Sequence, residues 1–427
     1  MNLVIEGKSY INGSFQNCCI GIEDDKIIDV KKILKGDKHL NFGNNLILPA
    51  GSDIHVHFRE PGMTHKEDFL SGSTSAAFGG ISCVFDMPNT IPQTTTINEL
   101  NEKISLANKK SFVDFGVYAG VTNNNIEDLG VLASKCSGFK IYLGNSTNTL
   151  KFNKKNLKDA LQKISKTNKP VLFHAEDAEL LLKNKSFENN LFDHLKFRPS
   201  ICEFTSIKDI LKEAQKINLK IHICHISSIE GLELLKKRPK NITCGITPHH
   251  ALLYVEKNNF LNNFFKVNPP IRSELDKEAL FNALKNGTID VMESDHAPHT
   301  IEEKEVGFDN APSGMPGVET MLPLFLFLAK KDVISFSKVI STICEKPAEI
   351  LNVSKGRIQI GKDADLIVVD IKEETRIKSE DLHSKCKWSA FEDWKAIFPR
   401  CVFIRGESVI EDNEISVSKG FGRFVGE

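Results

Sequence analysis

Residues 53–59 read DIHVHFR, a short strand pattern that carries two histidines and ends in an arginine. Successive side chains of a strand point to opposite faces, so His55 and His57 share one face and can bind one cation together. On a solvated strand the same pattern would have no such role. The rest of the chain must therefore show whether this strand lies in a sheet with further ligands.

Short apolar runs alternate with amphipathic helical patterns over residues 51–350. The predicted strands cover residues 54–57, 81–86, 112–119, 138–143, 170–174, 220–225, 241–247 and 289–295. Eight strands over this length predict an α/β fold of the (β/α)8, TIM-like barrel type. A doubly wound open sheet is the alternative, but no GxGxxG follows any predicted strand.

Both ends of the chain show a different, β-rich pattern. Strand patterns cover residues 3–6, 9–11, 19–23, 26–30 and 45–48, and then 365–369, 401–404 and 407–410. We expect them to form a small β-sandwich from both chain ends. The predicted organisation is a composite β domain of residues 1–50 plus 355–427, beside a barrel of residues 51–354.

Composition excludes several classes of protein. Among 427 residues, 55 Lys+Arg against 56 Asp+Glu leave a net charge of −1, which favours neither nucleic acid nor an anionic membrane as a partner. No apolar run approaches the roughly 20 residues of a membrane-spanning helix. Ten cysteines without a CxxC pair, and no signal-peptide pattern, predict a cytoplasmic protein with reduced thiols.

Further candidate metal ligands end the later predicted strands. His174 closes the fifth strand, His225 the sixth and Asp295 the eighth. His222 and His225 face opposite sides of their strand, and we assign His225 as the ligand because it lies nearer the end. Asp295 offers an oxygen ligand and can also accept a proton from bound water.

Lys140 alternates with apolar neighbours in the fourth predicted strand and should point into the barrel. Burying an ammonium there is costly, and burial beside other cations favours the neutral amine. Such an amine can capture CO2 as a carbamate, whose two oxygens could bridge two cations. No Asp or Glu occurs in residues 136–150 to take over that bridge. A structural lysine paired with a carboxylate from elsewhere is the alternative.

Several motifs resemble those of one family. The segment HVHFREPG at 55–62, followed by KED at 66–68 and GS at 72–73, resembles the opening motif of the dihydroorotase, allantoinase and hydantoinase branch of the amidohydrolase superfamily. Similarity to dihydroorotases in particular lies in FGG at 78–80, DMPNT at 86–90, TPHH at 247–250, NPPIR at 268–272 and SDHAPH at 294–299. The resemblance extends from the N-terminal β segment to residue 406.

The resemblance implies a zinc-dependent cyclic amide hydrolase with two Zn2+ per subunit. By matching, the ligands would be His55, His57, carbamylated Lys140, His174, His225 and Asp295. In some longer bacterial dihydroorotases an aspartate replaces the lysine, but residues 138–140 resemble the lysine-containing kind. The implied reaction is the reversible cyclisation of N-carbamoyl-L-aspartate to L-dihydroorotate in de novo pyrimidine (UMP) biosynthesis. In the hydrolytic direction a metal-bridging hydroxide attacks the ring amide and Asp295 carries the proton.

An acidic substrate needs a cationic partner. Arg59 lies two residues beyond His57 on the same face and offers a bidentate fork to a carboxylate. Asn89 can donate its amide to the same carboxylate, although Asn also favours turns. The resemblance implies further substrate contacts by Asn268, His299 and the backbone of Ser313 and Gly314. The last two lie in a predicted loop, residues 300–317, which is either a mobile lid or a plain surface loop. Trp388 and Trp394 receive no function.

Three functions are compared. The dihydroorotase reaction is preferred, and an allantoinase or hydantoinase-type cyclic amidohydrolase with the same metals is the alternative. Arg59 with Asn89 and Asn268 favours an acidic ring, because a ring with a neutral substituent would leave the arginine unpaired. A non-catalytic homologue typically loses ligands, whereas all six are present here. The expected partners are small-molecule substrates, and the resemblance implies a homodimer and, as in some family members, association with aspartate transcarbamoylase.

Overall fold

The computed structural model describes residues 1–144, 150–215, 217–258 and 263–426. The strands of the described part, in chain order, are β1 Leu3–Ile11, β2 Ser14–Glu23, β3 Lys26–Lys31, β4 Lys38–Pro49, β5 Gly51–Val56, β6 Ile81–Asp86, β7 Asp114–Gly120, β8 Gly138–Tyr142, β9 Val171–His174, β10 Ile221–Ile223, β11 Ile242–Ile246, β12 Val291–Met292, β13 Leu366–Val369, β14 Thr375–Arg376, β15 Lys395–Ala396, β16 Cys401–Ile404, β17 Glu407–Glu411 and β18 Glu414–Ile415.

Strands β5 to β12 form a parallel barrel. Each strand pairs with the next in chain order, and each overlaps one of the eight predicted strands. The two outer strands approach one another beyond β12, where the His57 N–H donates to the His296 carbonyl at 2.8 Å. A parallel bridge between Val56 and His296 accompanies this bond. The predicted barrel architecture is confirmed.

The α-helices cover the outside of the barrel and the connections between its strands. In the described part they are α1 Phe69–Phe78, α2 Ile97–Lys110, α3 Leu129–Leu132, α4 Leu157–Ile164, α5 Ala178–Lys183, α6 Leu191–Phe197, α7 Ser200–Ala214, α8 Ile229–Leu235, α9 Pro248–Leu252, α10 Val255–Asn258, α11 Glu274–Asn286, α12 Ile301–Lys304, α13 Met321–Lys330, α14 Phe336–Ile340 and α15 Lys346–Leu351. Among the described residues, no helix is both long and apolar enough to span a bilayer.

The second sheet combines the two chain ends, as predicted. Within the described ranges its order is β18-β17-β16-β13-β4-β1-β2-β3, and the antiparallel β4–β13 pair joins the two ends. Its own core includes Ile5, Ile20 and Phe403. The prediction of two strands at 3–6 and 9–11 was wrong, because Gly7 and Lys8 continue the pairing with β2 and make one strand.

A buried ion network connects the second sheet to the barrel. The fully buried Lys355 Nζ lies 2.7 Å from Asp114 Oδ2, 2.6 Å from Asp365 Oδ2 and 3.1 Å from Asp363 Oδ2, and Asp114 also pairs with Arg405. Burial lowers the pKa of Lys355, but these carboxylates outweigh burial and hold it well above its ordinary value. Asp114 begins β7, so the network ties the lower rim of the barrel to the chain ends.

Replacing Lys355 with methionine should destabilise the protein by about 3–5 kcal/mol, because it leaves buried carboxylates without their common cation. Lys346→Met is the matched control, since that lysine is partly exposed and its ion-pair partner among the described residues is Glu349, at 2.7 Å. The control should change the free energy of unfolding by less than about 0.5 kcal/mol. Chemical denaturation measures both, and equal effects would contradict a structural role for the network.

Candidate active site

The predicted ligands meet at the carboxyl ends of the barrel strands, where TIM-barrel enzymes carry their active sites. His55 lies in β5 and His57 just beyond it, while Asp295 follows β12. Asp295 Oδ1 lies 3.1 Å from His57 Nε2 and 3.4 Å from His55 Nε2. Three ligand atoms at these distances form a group that could hold a cation.

His174 and His225 form a second pair on the next part of the rim. His174 ends β9, and its Nδ1 lies 3.2 Å from Nε2 of His225. The ring centroids of His225 and His55 are 5.2 Å apart, so the two groups of ligands are adjacent. His222, by contrast, points to Thr243 Oγ1 at 2.9 Å and does not line the cavity.

Lys140 lies beneath these imidazoles, fully buried in β8. Its Nζ donates to Cys224 Sγ at 3.2 Å, and no carboxylate of the described ranges lies within ion-pair distance of it. Burial, followed by the nearby Lys140 charge, lowers the pKa of His55 well below its usual value. The lysine therefore lies close to the ligand cluster, and the alternative of a lysine paired with a carboxylate has no support.

Burial keeps the imidazoles in the form that metals bind. It lowers the pKa of His57 and His174, and that of His225 well below the usual value. Burial alone would raise the pKa of Asp295, but His55 and His57 hold it below its ordinary range. Neutral imidazoles and an ionised carboxylate are the protonation states of metal ligands.

Three site residues have left-handed backbone, which is uncommon for residues other than glycine. The φ angles are 62° at Arg59, 40° at His225 and 46° at Asp295. Each lies where the chain leaves a barrel strand, and there the strand alternation no longer sets the direction of the side chain. Such conformations cost of order 1–3 kcal/mol and cluster at functional sites.

Two buried carboxylates that the sequence analysis missed orient the histidines. Glu293 Oε1 accepts from the His225 N–H at 2.6 Å, and its Oε2 lies 3.3 Å from His55 Nδ1. Glu176 Oε2 lies 2.7 Å from His174 Nε2 and also pairs with Arg198. These contacts leave His55 Nε2 and His174 Nδ1 free to face the site. The HxE pattern of residues 174–176 and the alternation of Glu293 with Asp295 were the available signals.

The cluster opens into a cavity of about 360 Å3. It is lined by every predicted ligand except Lys140, and by all six predicted substrate contacts: Arg59, Asn89, Asn268, His299, Ser313 and Gly314. The structure thus brings together two sets of residues that come from distant parts of the chain.

Arg59 is a buried cation without an anionic partner. Its Nε donates to the Pro298 carbonyl at 3.2 Å and its NH2 group to His299 Nε2 at 3.1 Å, and no carboxylate of the described part lies within ion-pair distance. Burial lowers the pKa of the guanidinium. A buried charge requires a partner, so the cavity is built to receive an anion.

The polar side chains next to Arg59 in the cavity are also suited to receive an anionic ligand. Asn89 Oδ1 lies 2.6 Å from His57 Nδ1, which leaves the amide N–H2 of Asn89 free to donate. Asn268 Oδ1 is buried and has no hydrogen-bond partner in the part of the chain that the structure describes. Burial and the Arg59 charge lower the pKa of His299 to about 3, so its ring is neutral at physiological pH.

The sequence of this chain is similar to those of known proteins. The chain matches the model of the amidohydrolase family over residues 46–409. It is 37% identical to the dihydroorotase of Methanosarcina acetivorans over 97% of this chain and 93% of that protein, and 39% identical to that of Thermoplasma acidophilum over 100% and 98%. The chain belongs to the amidohydrolase family, and within it to the dihydroorotases.

Solved structures of amidohydrolases share the fold. The L-hydantoinase (dihydropyrimidinase) of Arthrobacter aurescens superposes with a TM-score of 0.95 at 26% identity, covering 99% of both chains. A D-hydantoinase superposes with a TM-score of 0.92. The barrel and the second sheet are therefore common to this chain and to these hydantoinases, and the choice of substrate depends on the side chains in the cavity.

Glu293→Gln should weaken metal binding roughly 10- to 100-fold. The Glu293 carboxylate contacts both the His225 N–H and His55 Nδ1, and the neutral amide of glutamine cannot accept a hydrogen bond from both. Glu319→Gln is the matched control, since Glu319 is also buried and contacts His383 Nδ1 at 2.7 Å outside the cavity. Competition with a chromophoric chelator measures the affinity. Equal affinities of the two variants would show that Glu293 does not support the ligands.

Proposed function

We propose that this chain catalyses the dihydroorotase reaction, the reversible interconversion of N-carbamoyl-L-aspartate and L-dihydroorotate in de novo pyrimidine synthesis. The observation that carries the proposal is Arg59, a buried guanidinium with no carboxylate partner among the described residues, beside a His-His-Asp cluster in one cavity. L-dihydroorotate supplies both missing features, since its free carboxylate pairs with the guanidinium while its ring amide faces the cluster.

The donor set fits two divalent cations. His55, His57 and Asp295 would hold one, His174 and His225 the other, and Lys140 as a carbamate would bridge them. Imidazole nitrogens with carboxylate oxygens suit zinc, and the buried Nδ1 of His225 has no hydrogen-bond partner among the described residues. When bound, the two cations would supply Lewis acidity and a water of lowered pKa.

The protein's own residues perform the remaining steps. Arg59 and the amide of Asn89 bind the substrate carboxylate, and Asn268 and His299 hold the ring. Asp295 is ionised and 3.1 Å from His57 Nε2, so it can take a proton from the attacking water and deliver it to the leaving ring nitrogen. In the reverse direction the carbamoyl nitrogen attacks the side-chain carboxyl carbon, and Asp295 takes the proton of that nitrogen and delivers it to the carboxyl oxygen, which leaves as water.

Purified, zinc-loaded enzyme should hydrolyse L-dihydroorotate with a kcat/KM on the order of 100-fold above that for allantoin or hydantoin. A ring without a carboxylate leaves Arg59 buried and unpaired, which costs about 2–3 kcal/mol. Steady-state assays with the three substrates, alongside metal quantification, make the comparison. A preference for allantoin or hydantoin would overturn the proposal in favour of a related cyclic amidohydrolase.

Lys140→Ala should lose most activity, because it removes the proposed bridge between the cations. Acetate or propionate should restore part of it, since a small carboxylate can enter the vacated space and offer two oxygens. Lys346→Met, on the surface, serves as the control for general effects of the added acids. Full activity of Lys140→Ala without any acid would refute the bridging role.

A further inference from the structure

Lys304 is a fully buried lysine at the end of the short helix α12, and its surroundings are unusual. Its Nζ lies 2.9 Å from the Pro312 carbonyl, 3.1 Å from that of Gly314 and 3.4 Å from that of Lys266. Among the described residues it has no carboxylate within ion-pair distance. Burial therefore lowers the pKa of this ammonium to about 7.

Buried lysines elsewhere in the described ranges differ from one another: Lys140 also lacks a carboxylate partner, whereas others have at least one. Lys355 contacts three carboxylates, and Lys103 pairs with Asp86. Burying an ammonium against neutral carbonyls is costly, because dipoles offset its charge less well than a carboxylate does, and the pKa of Lys304 is lowered accordingly. Two of the three carbonyls, those of Pro312 and Gly314, flank Ser313.

The position of Lys304 itself is fixed by the fold. Helix α12 begins with a capping box between Thr300 and Glu303. The side-chain amide of Asn263 donates to the carbonyls of Lys304 at 2.8 Å and Val306 at 2.6 Å, which ties down the end of the helix. The ammonium also lies 5.7 Å from the ring centroid of Trp388. Lys304 can therefore act as a fixed point for the segment that follows it.

The geometry of the peptide group connects Lys304 to the cavity. A trans peptide points its C=O and N–H in opposite directions, so a Pro312 carbonyl directed at Lys304 turns the Ser313 N–H away from it. The Ser313 carbonyl lies 3.2 Å from His299 Nε2, and the Gly314 N–H donates to the Lys266 carbonyl at 2.9 Å. The Ser313 N–H has no acceptor within the described part of the chain, and Ser313 lines the cavity.

Gly314 allows this segment to approach the rim closely. Its φ is 142°, and a Cβ at this position would lie 2.5 Å from the Ala297 carbonyl oxygen. The segment is therefore packed between the rim of the barrel and Lys304, with little room for an alternative backbone path. This arrangement fits a rigid wall of the cavity better than a mobile lid.

We propose that Lys304 is a positioning residue that holds residues 312–314 so that the Ser313 amide N–H is presented to the substrate carboxylate. This proposal rests on the function proposed above. The lysine itself touches no substrate. It acts through backbone carbonyls, and the resulting N–H donor supplements the charge of Arg59 at the same carboxylate.

Lys304→Met removes the ammonium with little change in side-chain length. In zinc-loaded enzyme the KM for L-dihydroorotate should rise about tenfold or more, the loss expected for a hydrogen bond to a charged group, while kcat changes less than about threefold. Zinc content should stay unchanged. Hydrogen exchange of peptides covering residues 305–317 should accelerate at the same time.

Lys355→Met is the matched control, because it removes a buried lysine far from the cavity. Measured at a temperature where both variants are folded, it should lower stability without changing KM or exchange in residues 305–317. A Lys304→Met enzyme with wild-type KM and exchange would overturn the proposal, as would a parallel loss of kcat and zinc. If the wild-type enzyme does not hydrolyse L-dihydroorotate, the proposed function fails, whereas the exchange measurement still decides whether Lys304 holds the segment.

Discussion

Contact between β5 and the residues beyond β12 brings His57 within 3.1 Å of Asp295, a residue 238 positions later in the chain. The same approach places Arg59 against Pro298 and His299. Both the candidate metal cluster and the anion-binding end of the cavity thus depend on the meeting of the first and last strands of the barrel. The HxH motif alone could not provide either of them.

The buried cations show how the fold separates stability from function. Lys355 is surrounded by carboxylates, and its network joins the barrel to the second sheet. Arg59, Lys140 and Lys304 are also buried but lack carboxylate partners in the described part, and all three lie at the cavity or one residue layer behind it. A buried charge without a counterion is costly, so these three positions indicate a ligand or a backbone conformation that compensates for the cost.

The carboxylates behind the histidines extend the site into the body of the barrel. Glu293 contacts both His55 and the backbone of His225, and Glu176 links His174 to Arg198. His55 and His174 are thereby each held by one ring nitrogen while the other faces the cavity, and His225 is held through its backbone N–H. The segment 300–317, which the sequence left as either a lid or a surface loop, contributes a short helix and a buried lysine to the same structure.

Local patterns were sufficient for the strands of the barrel, for the participation of both chain ends in a second sheet, and for the side chains that line the cavity. The strands follow from period-two alternation, whereas the cavity side chains follow from short motifs, because alternation no longer sets the direction of Arg59, His225 and Asp295 beyond the strand ends. Glu293 and Glu176 left short-range signals that do not by themselves distinguish a supporting carboxylate from an exposed one, and Lys304 left none, because a lysine in a polar segment is usually exposed. Their roles arise from partners far along the chain and from burial, and only the packed barrel determines both.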